Sequence, residues 1–112
     1  MPTEAAISVS ELNRKARALL ERGMARLWVE GEISNMARPG SGHIYFSLKD
    51  ETAQVSAAWF RQRQRGPAIG FKNGDKVLAY GRVSIYEARG NYQLIVEQME
   101  PAGEGVLKQR FE

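Results

Sequence analysis

The stretch His43-Ile44-Tyr45-Phe46-Ser47-Leu48-Lys49 alternates without a break. Ile44, Phe46 and Leu48 fall on one side of an extended chain, and His43, Tyr45, Ser47 and Lys49 on the other. Side chains of a β-strand point to opposite faces with a period of two, so one face of this segment suits a core and the other suits solvent. The solvent face carries two rings, a hydroxyl and a cation.

Working outward, Asp50 to Ala53 forms a short turn into Gln54–Phe60, which makes the second and third strands a hairpin. Upstream, Leu27, Val29, Gly31 and Ile33 alternate with Trp28, Glu30, Glu32 and Ser34. That segment is the first strand, and Pro39, Gly40 and Gly42 break the ladder in the loop Asn35–Gly42 that follows. Downstream, Lys76–Tyr86 is a long strand with Val77, Ala79, Val83 and Ile85 on one side, and Gly81 permits a bend. Glu87–Asn91 is a turn, and Tyr92–Met99 returns as the last strand. Residues 61–74 are connective, with at most a short helix inside.

Before the first strand, Ser8 and Glu11 have the spacing of a capping box. Val9, Leu12, Ala16, Leu19 and Leu20 then recur on one face of a 3.6-residue period, and Gly23 suits the stop. The order of one helix, three strands, an irregular connection and two strands predicts a mainly β protein. Its expected architecture is a five-stranded Greek-key OB-fold barrel with an N-terminal α-helix flanking or plugging one end. Residues 1–24 are read as the helical segment, 25–102 as the barrel, and 103–112 as the start of a linker into something longer.

At 112 residues, 43% hydrophobic and 26% charged, the chain fits one ordinary globular domain. No apolar run suggests a membrane span or signal peptide, so the expected setting is the cytoplasm. With no cysteine and one histidine, neither a disulfide framework nor a thiolate zinc site can form. The net charge of +3 is unevenly spread: residues 1–59 balance, residues 60–92 carry a local excess of +5, and residues 93–112 come to −2. A basic stretch of this kind is either a phosphate-binding surface or a solvated face.

Several separate blocks resemble one family. They are Val9–Asn13, Trp28-Val-Glu-Gly-Glu-Ile-Ser-Asn35, Ser41-Gly-His-Ile-Tyr-Phe-Ser-Leu-Lys-Asp50, Tyr86-Glu-Ala-Arg-Gly-Asn-Tyr-Gln-Leu94 and Glu100–Gly103. In order and spacing they are similar to the N-terminal domain of exodeoxyribonuclease VII large subunits. Trp59 and the basic run Arg61-Gln-Arg-Gln-Arg65 depart from the family pattern. The resemblance implies an OB-fold belonging to an enzyme that degrades single-stranded DNA to oligonucleotides, with several copies of a small subunit. It also implies that the hydrolytic centre and the small-subunit contacts lie outside these residues.

Nothing in the chain pairs a nucleophile with a base, and His43 lacks a reaction partner, so no catalytic residue is assigned. Glu30 and Glu32 share a strand face, but no third metal ligand accompanies them. No cofactor is expected in this chain, and a divalent-ion requirement of a larger enzyme is left open. The expected partner is single-stranded DNA. Tyr45 is read as a base-stacking ring or a half-buried barrel residue, beside His43, Ser47 and Lys49. Arg82, Tyr86, Arg89 and Tyr92 gather at the fourth strand and its turn, where Arg89-Gly90 serves either binding or the turn alone. Arg61, Arg63 and Arg65 would form a cationic stripe if extended, or else a solvated connector. Trp28 and Trp59 are read as packing residues, Trp28 against the helix. The competing expectation is a protein-interaction or subunit-assembly domain, motivated by the exposed part of the Val9–Leu20 face.

Overall fold

The computed structural model describes residues 5–64 and 70–102. The expected linker from residue 103 and Arg65 of the basic run lie outside the described residues.

Helix α1 spans Val9–Gly23, and Ser8 Oγ accepts from the Glu11 backbone N–H at 3.0 Å, satisfying one of the donors orphaned at a helix start. The helix does not stop on a left-handed glycine. Gly23 is its last helical residue, and Met24 N–H closes the final turn on Leu20 O at 3.1 Å.

The strands are β1 (Leu27–Ala37), β2 (Ile44–Lys49), β3 (Gln54–Trp59), β4 (Lys76–Tyr86) and β5 (Asn91–Pro101). They close a barrel in the order β1-β2-β3-β5-β4, antiparallel except for the β3–β5 pair. β1 serves two neighbours: Leu27–Glu32 pairs with β4, and Glu32 onward pairs with β2. It also runs two residues past Asn35, which adopts φ 53° at an irregularity between Ser34 and Ala37 and so lets the strand turn without ending.

Two glycines allow this closure. A Cβ on Gly31 would stand 2.7 Å from Leu48 Cγ, where β1 crosses from one partner to the other. A Cβ on Gly81 would overlap the Ile95 carbonyl, at the register shift between Tyr80 and Gly81 that bends the β4–β5 ribbon.

The barrel interior holds Ile33, Ile44, Phe46, Leu48, Trp59, Val77, Val83, Leu94 and Val96 among its buried residues. Each such side chain contributes about 1.5–3 kcal/mol relative to exposure. Trp59 is therefore core, as its sequence context suggests, with Nε1 lacking a hydrogen-bond partner among the described residues. Trp28 lies on the barrel exterior and tilts onto its cross-strand partner Tyr80, ring centroids 5.1 Å apart.

Of the two expected placements, helix α1 takes the flanking one, against the C-terminal half of β4 and the turn after it. It lies along the outer face of β4, held by hydrogen bonds from Ser84 and Arg82 to Glu21 and from Asn13 to the Glu87 carbonyl. Leu20 packs against the core, whereas Val9, Leu12 and Leu19 are 74%, 54% and 67% exposed. The apolar periodicity is real, but polar contacts set the docking face, turning much of that stripe outward.

Candidate nucleic-acid interface

The outer faces of β2, β3 and β5 form one surface that ends against α1 on β4, because cross-strand partners point to the same side. One row runs Tyr45, Ala58, Ile95, Arg82, and the next runs Ser47, Ser56, Gln93, Ser84. Tyr45 is 40% exposed at the β2 end of its row, with Lys49 exposed further along the strand. Ala58 and Ile95, between Tyr45 and Arg82 in the row, are buried.

His43 organises the β2 edge. Its Nδ1 accepts the Arg61 backbone N–H at 3.0 Å, at the start of the 3₁₀ turn Arg61–Arg63, which has no side-chain cap of its own. The same ring meets Phe60 edge-on at 5.3 Å and Tyr45 at 6.4 Å. Gln64 Nε2 donates to Gly42 O at 2.8 Å and Trp59 O at 2.9 Å, tying the β1–β2 loop to the end of β3. Tyr45, His43 and Phe60 thus form an aromatic run leading across the sheet from its β2 side.

Of the two readings of the arginine run, the described residues Arg61 and Arg63 fit the connector rather than the stripe. A 3₁₀ turn advances about 120° per residue, so Arg61 and Arg63 point apart. Arg61 lies against Gly42, whose added Cβ would be 3.0 Å from Arg61 Cδ. Arg63 borders a separate cleft of about 410 Å³ with Trp59, Glu97, Gln98 and Met99.

The β4–β5 cluster is also divided. Arg82 Nη1 is 3.3 Å from Glu21 Oε2, which also accepts from Arg17 Nε at 3.0 Å and Ser84 Oγ at 2.7 Å. The Ser84 hydroxyl above all, with Arg17 next, holds the Glu21 carboxyl below the usual carboxylate range. Tyr86 is 52% exposed on the outer face. Arg89 is exposed in a turn closed by Arg89 N–H and Gly90 N–H on Tyr86 O, with Gly90 at φ 71°, and among the described residues it makes no ion pair. Tyr92, 51% exposed, shares its strand face with Leu94 and stands at a barrel mouth with Lys49, Leu48 and Val55, apart from Tyr86.

Near that mouth, Glu32 pairs in register with both Lys49 and Lys76. A cleft of about 530 Å³ contains these groups with Glu30, Asp50 and Glu51. Asp50 is held below its ordinary range by the Thr52 and Ala53 backbone N–H groups, as the anchor of its turn. Among the described residues no three His, Cys, Asp or Glu side chains are placed to hold a metal. No described helix is long and apolar enough to cross a membrane.

Sequence reasoning missed Phe60, Gln93, Ile95 and the Arg17–Glu21 pair. The alternation of Gln93 and Ile95 with Leu94 and Val96 carries a usable signal for Gln93 and Ile95. The helix partners carry none, since contacts 61 and 63 residues apart depend on where α1 docks.

A closed five-stranded barrel with an exposed aromatic, hydroxyl and cationic face defines a nucleic-acid-binding class of fold. The chain belongs to the family described as "OB-fold nucleic acid binding domain", matched over residues 7–100. Within it, the resemblance to exodeoxyribonuclease VII is borne out: the chain is 55% identical to the exodeoxyribonuclease 7 large subunit of Pseudoalteromonas translucida over 111 residues, 99% of this chain and 25% of that protein. With the same subunit of Cronobacter sakazakii it shares 50% identity over 110 residues, 98% of this chain and 24% of that one. The chain therefore spans about a quarter of the length of the curated relatives it matches.

Among solved structures, a replication protein A heterotrimer bound to ssDNA is similar with a TM-score of 0.60 at 17% identity, covering 79% of this chain and 67% of that one. The S. pombe Stn1-Ten1 complex gives a TM-score of 0.61 at 14% identity, covering 78% of this chain and 65% of that one. At these identities the likeness concerns the fold.

Proposed function

We propose that this barrel binds single-stranded DNA across its β2–β3 face and the β4–β5 turn. In this reading it presents the strand, in the cytoplasm, to a hydrolytic centre carried by the part of the relatives' length that this chain does not span. Small subunits would contact that same remainder. The observation that carries the reading is Tyr45, a large ring exposed on the sheet beside Ser47 and Lys49 and edge-on to His43. A flat exposed ring accepts any base by stacking, and neighbouring cations hold the phosphates without reading sequence. The resemblance to exodeoxyribonuclease 7 large subunits and the ssDNA named for the replication protein A neighbour support the same ligand.

Fluorescence anisotropy with labelled single strands and duplexes across a salt series tests it. Single strands bind more tightly than duplexes at equal length, and affinity falls as salt rises. Absence of single-strand binding at low salt would overturn the proposal.

The exposed Val9, Leu12 and Leu19 on α1 favour a second reading, subunit assembly through the helix. Light scattering of the wild type against a Leu12→Lys, Leu19→Lys variant separates the two. A concentration-dependent mass lost only in the variant supports assembly, and identical monomers count against self-association.

A further inference from the structure

We infer a pocket for one unpaired nucleobase in the groove between α1 and the β4–β5 ribbon, beyond the β2–β3 face. The inference rests on the proposed single-stranded DNA binding and adds a second, chemically different contact to it. The groove holds about 290 Å³ and is bordered by Phe60, Ile95, Tyr86 and Gln93, with Arg17 and Arg82 on the helix side.

Charge decides which part of a nucleotide suits it. Arg17 and Arg82 reach the groove, but Glu21 and Glu87 hold them: Arg17 lies 3.0 Å from each carboxylate and Arg82 lies 3.3 Å from Glu21. Two guanidinium groups against two carboxylates leave no net charge to draw in a phosphate. A neutral, planar, partly apolar group faces no such deficit.

The lining matches that group. Ile95 is a buried apolar floor, and Phe60 and Tyr86 offer ring surface. Gln93 is half-buried, and among the described residues its side-chain amide has no hydrogen-bond partner. An amide presents both donor and acceptor, the complement of a base edge. Its register partner Ser84 commits its hydroxyl to Glu21, leaving Gln93 to the groove.

The position also fits a continuous strand. Tyr45 and Ile95 stand in one cross-strand row, two strand spacings apart, about 10 Å. The aromatic run from Tyr45 through His43 to Phe60 leads to the groove. One base would stack on Tyr45 and another would enter the pocket.

The test compares an oligodeoxythymidylate with the same backbone carrying abasic sites, by anisotropy, on the wild type and on Gln93→Ala and Tyr86→Ser, with thermal melts as folding controls. Both variants lose about threefold to tenfold in affinity for the base-bearing strand, the equivalent of one net hydrogen bond or stacking contact, and bind the abasic strand like the wild type. The selective loss persists in a Tyr45→Ala background, which separates the pocket from the stacking site. Equal effects on both strands, or no effect on either, would overturn the pocket while leaving strand binding intact. Failure of the wild type to bind either strand would overturn the pocket and the underlying reading together.

Discussion

Glu21 on α1 and Ser84 on β4, 63 residues apart, are joined by a hydrogen bond of 2.7 Å from the serine hydroxyl to the carboxylate. Ser84 is 3% exposed, so the helix carboxylate is the partner that makes a buried hydroxyl tolerable on the outer sheet face. The same carboxylate holds Arg82, which makes that arginine part of the helix attachment.

Ser84→Ala and Glu21→Gln therefore each destabilise the fold, by about 1–2 kcal/mol in urea titrations at neutral pH. Because the folded Glu21 carboxyl sits below its ordinary range, its contribution is complete above the unfolded value. It is lost as pH falls through the lower folded value. The stability difference between wild type and Glu21→Gln shrinks in acid, in titrations repeated below the usual carboxylate range.

Arginines 82 and 89 separate in a salt series. Arg89→Ala removes an exposed cation outside any ion pair among the described residues, and lowers the slope of log affinity against log salt by about 0.7 for single strands. Arg82→Ala leaves the slope near the wild-type value and instead lowers the melting temperature. A slope for Arg89→Ala equal to the wild-type value would show that Arg89 touches no phosphate.

Tyr45→Ala costs about 1–3 kcal/mol of single-strand affinity, measured by anisotropy, with little change in thermal stability. Its ring is 40% exposed and lies outside the core cluster, so a large drop in melting temperature would mean that the ring serves packing.

Gly81→Ala destabilises by about 1–3 kcal/mol or more, since the new methyl group collides with the Ile95 carbonyl at the β4–β5 irregularity. Gly40→Ala, where an added Cβ meets nothing within 4 Å, is the control and leaves denaturation unchanged.

The barrel was legible chiefly from β2, which writes its burial into a period of two: Ile44, Phe46 and Leu48 are buried where the alternation places them. The helix was legible as a helix but not in its docking. Its apolar stripe does not say which of its residues pack: Val9, Leu12 and Leu19 are exposed, and Asn13 and Glu21 make the contacts to β4 and its turn. Alternation alone could not choose between stripe and connector, because a period of two assumes an extended chain and Arg61–Arg63 closes a 3₁₀ turn. Arg82 could be read as a free cation because its partner Glu21 lies 61 residues away. Gln93 escaped notice because β5 was not sorted into faces, although its own alternation separates them.

The most direct measurement is an amide chemical-shift titration of the isotope-labelled chain with an unlabelled oligodeoxythymidylate. Saturable shifts are expected at Tyr45, Ser47, Lys49 and Arg61 and through the turn at Arg89, with Val9, Leu12 and Leu19 unmoved. Shifts confined to the helix, or none at saturating strand, would contradict single-stranded DNA binding by this face.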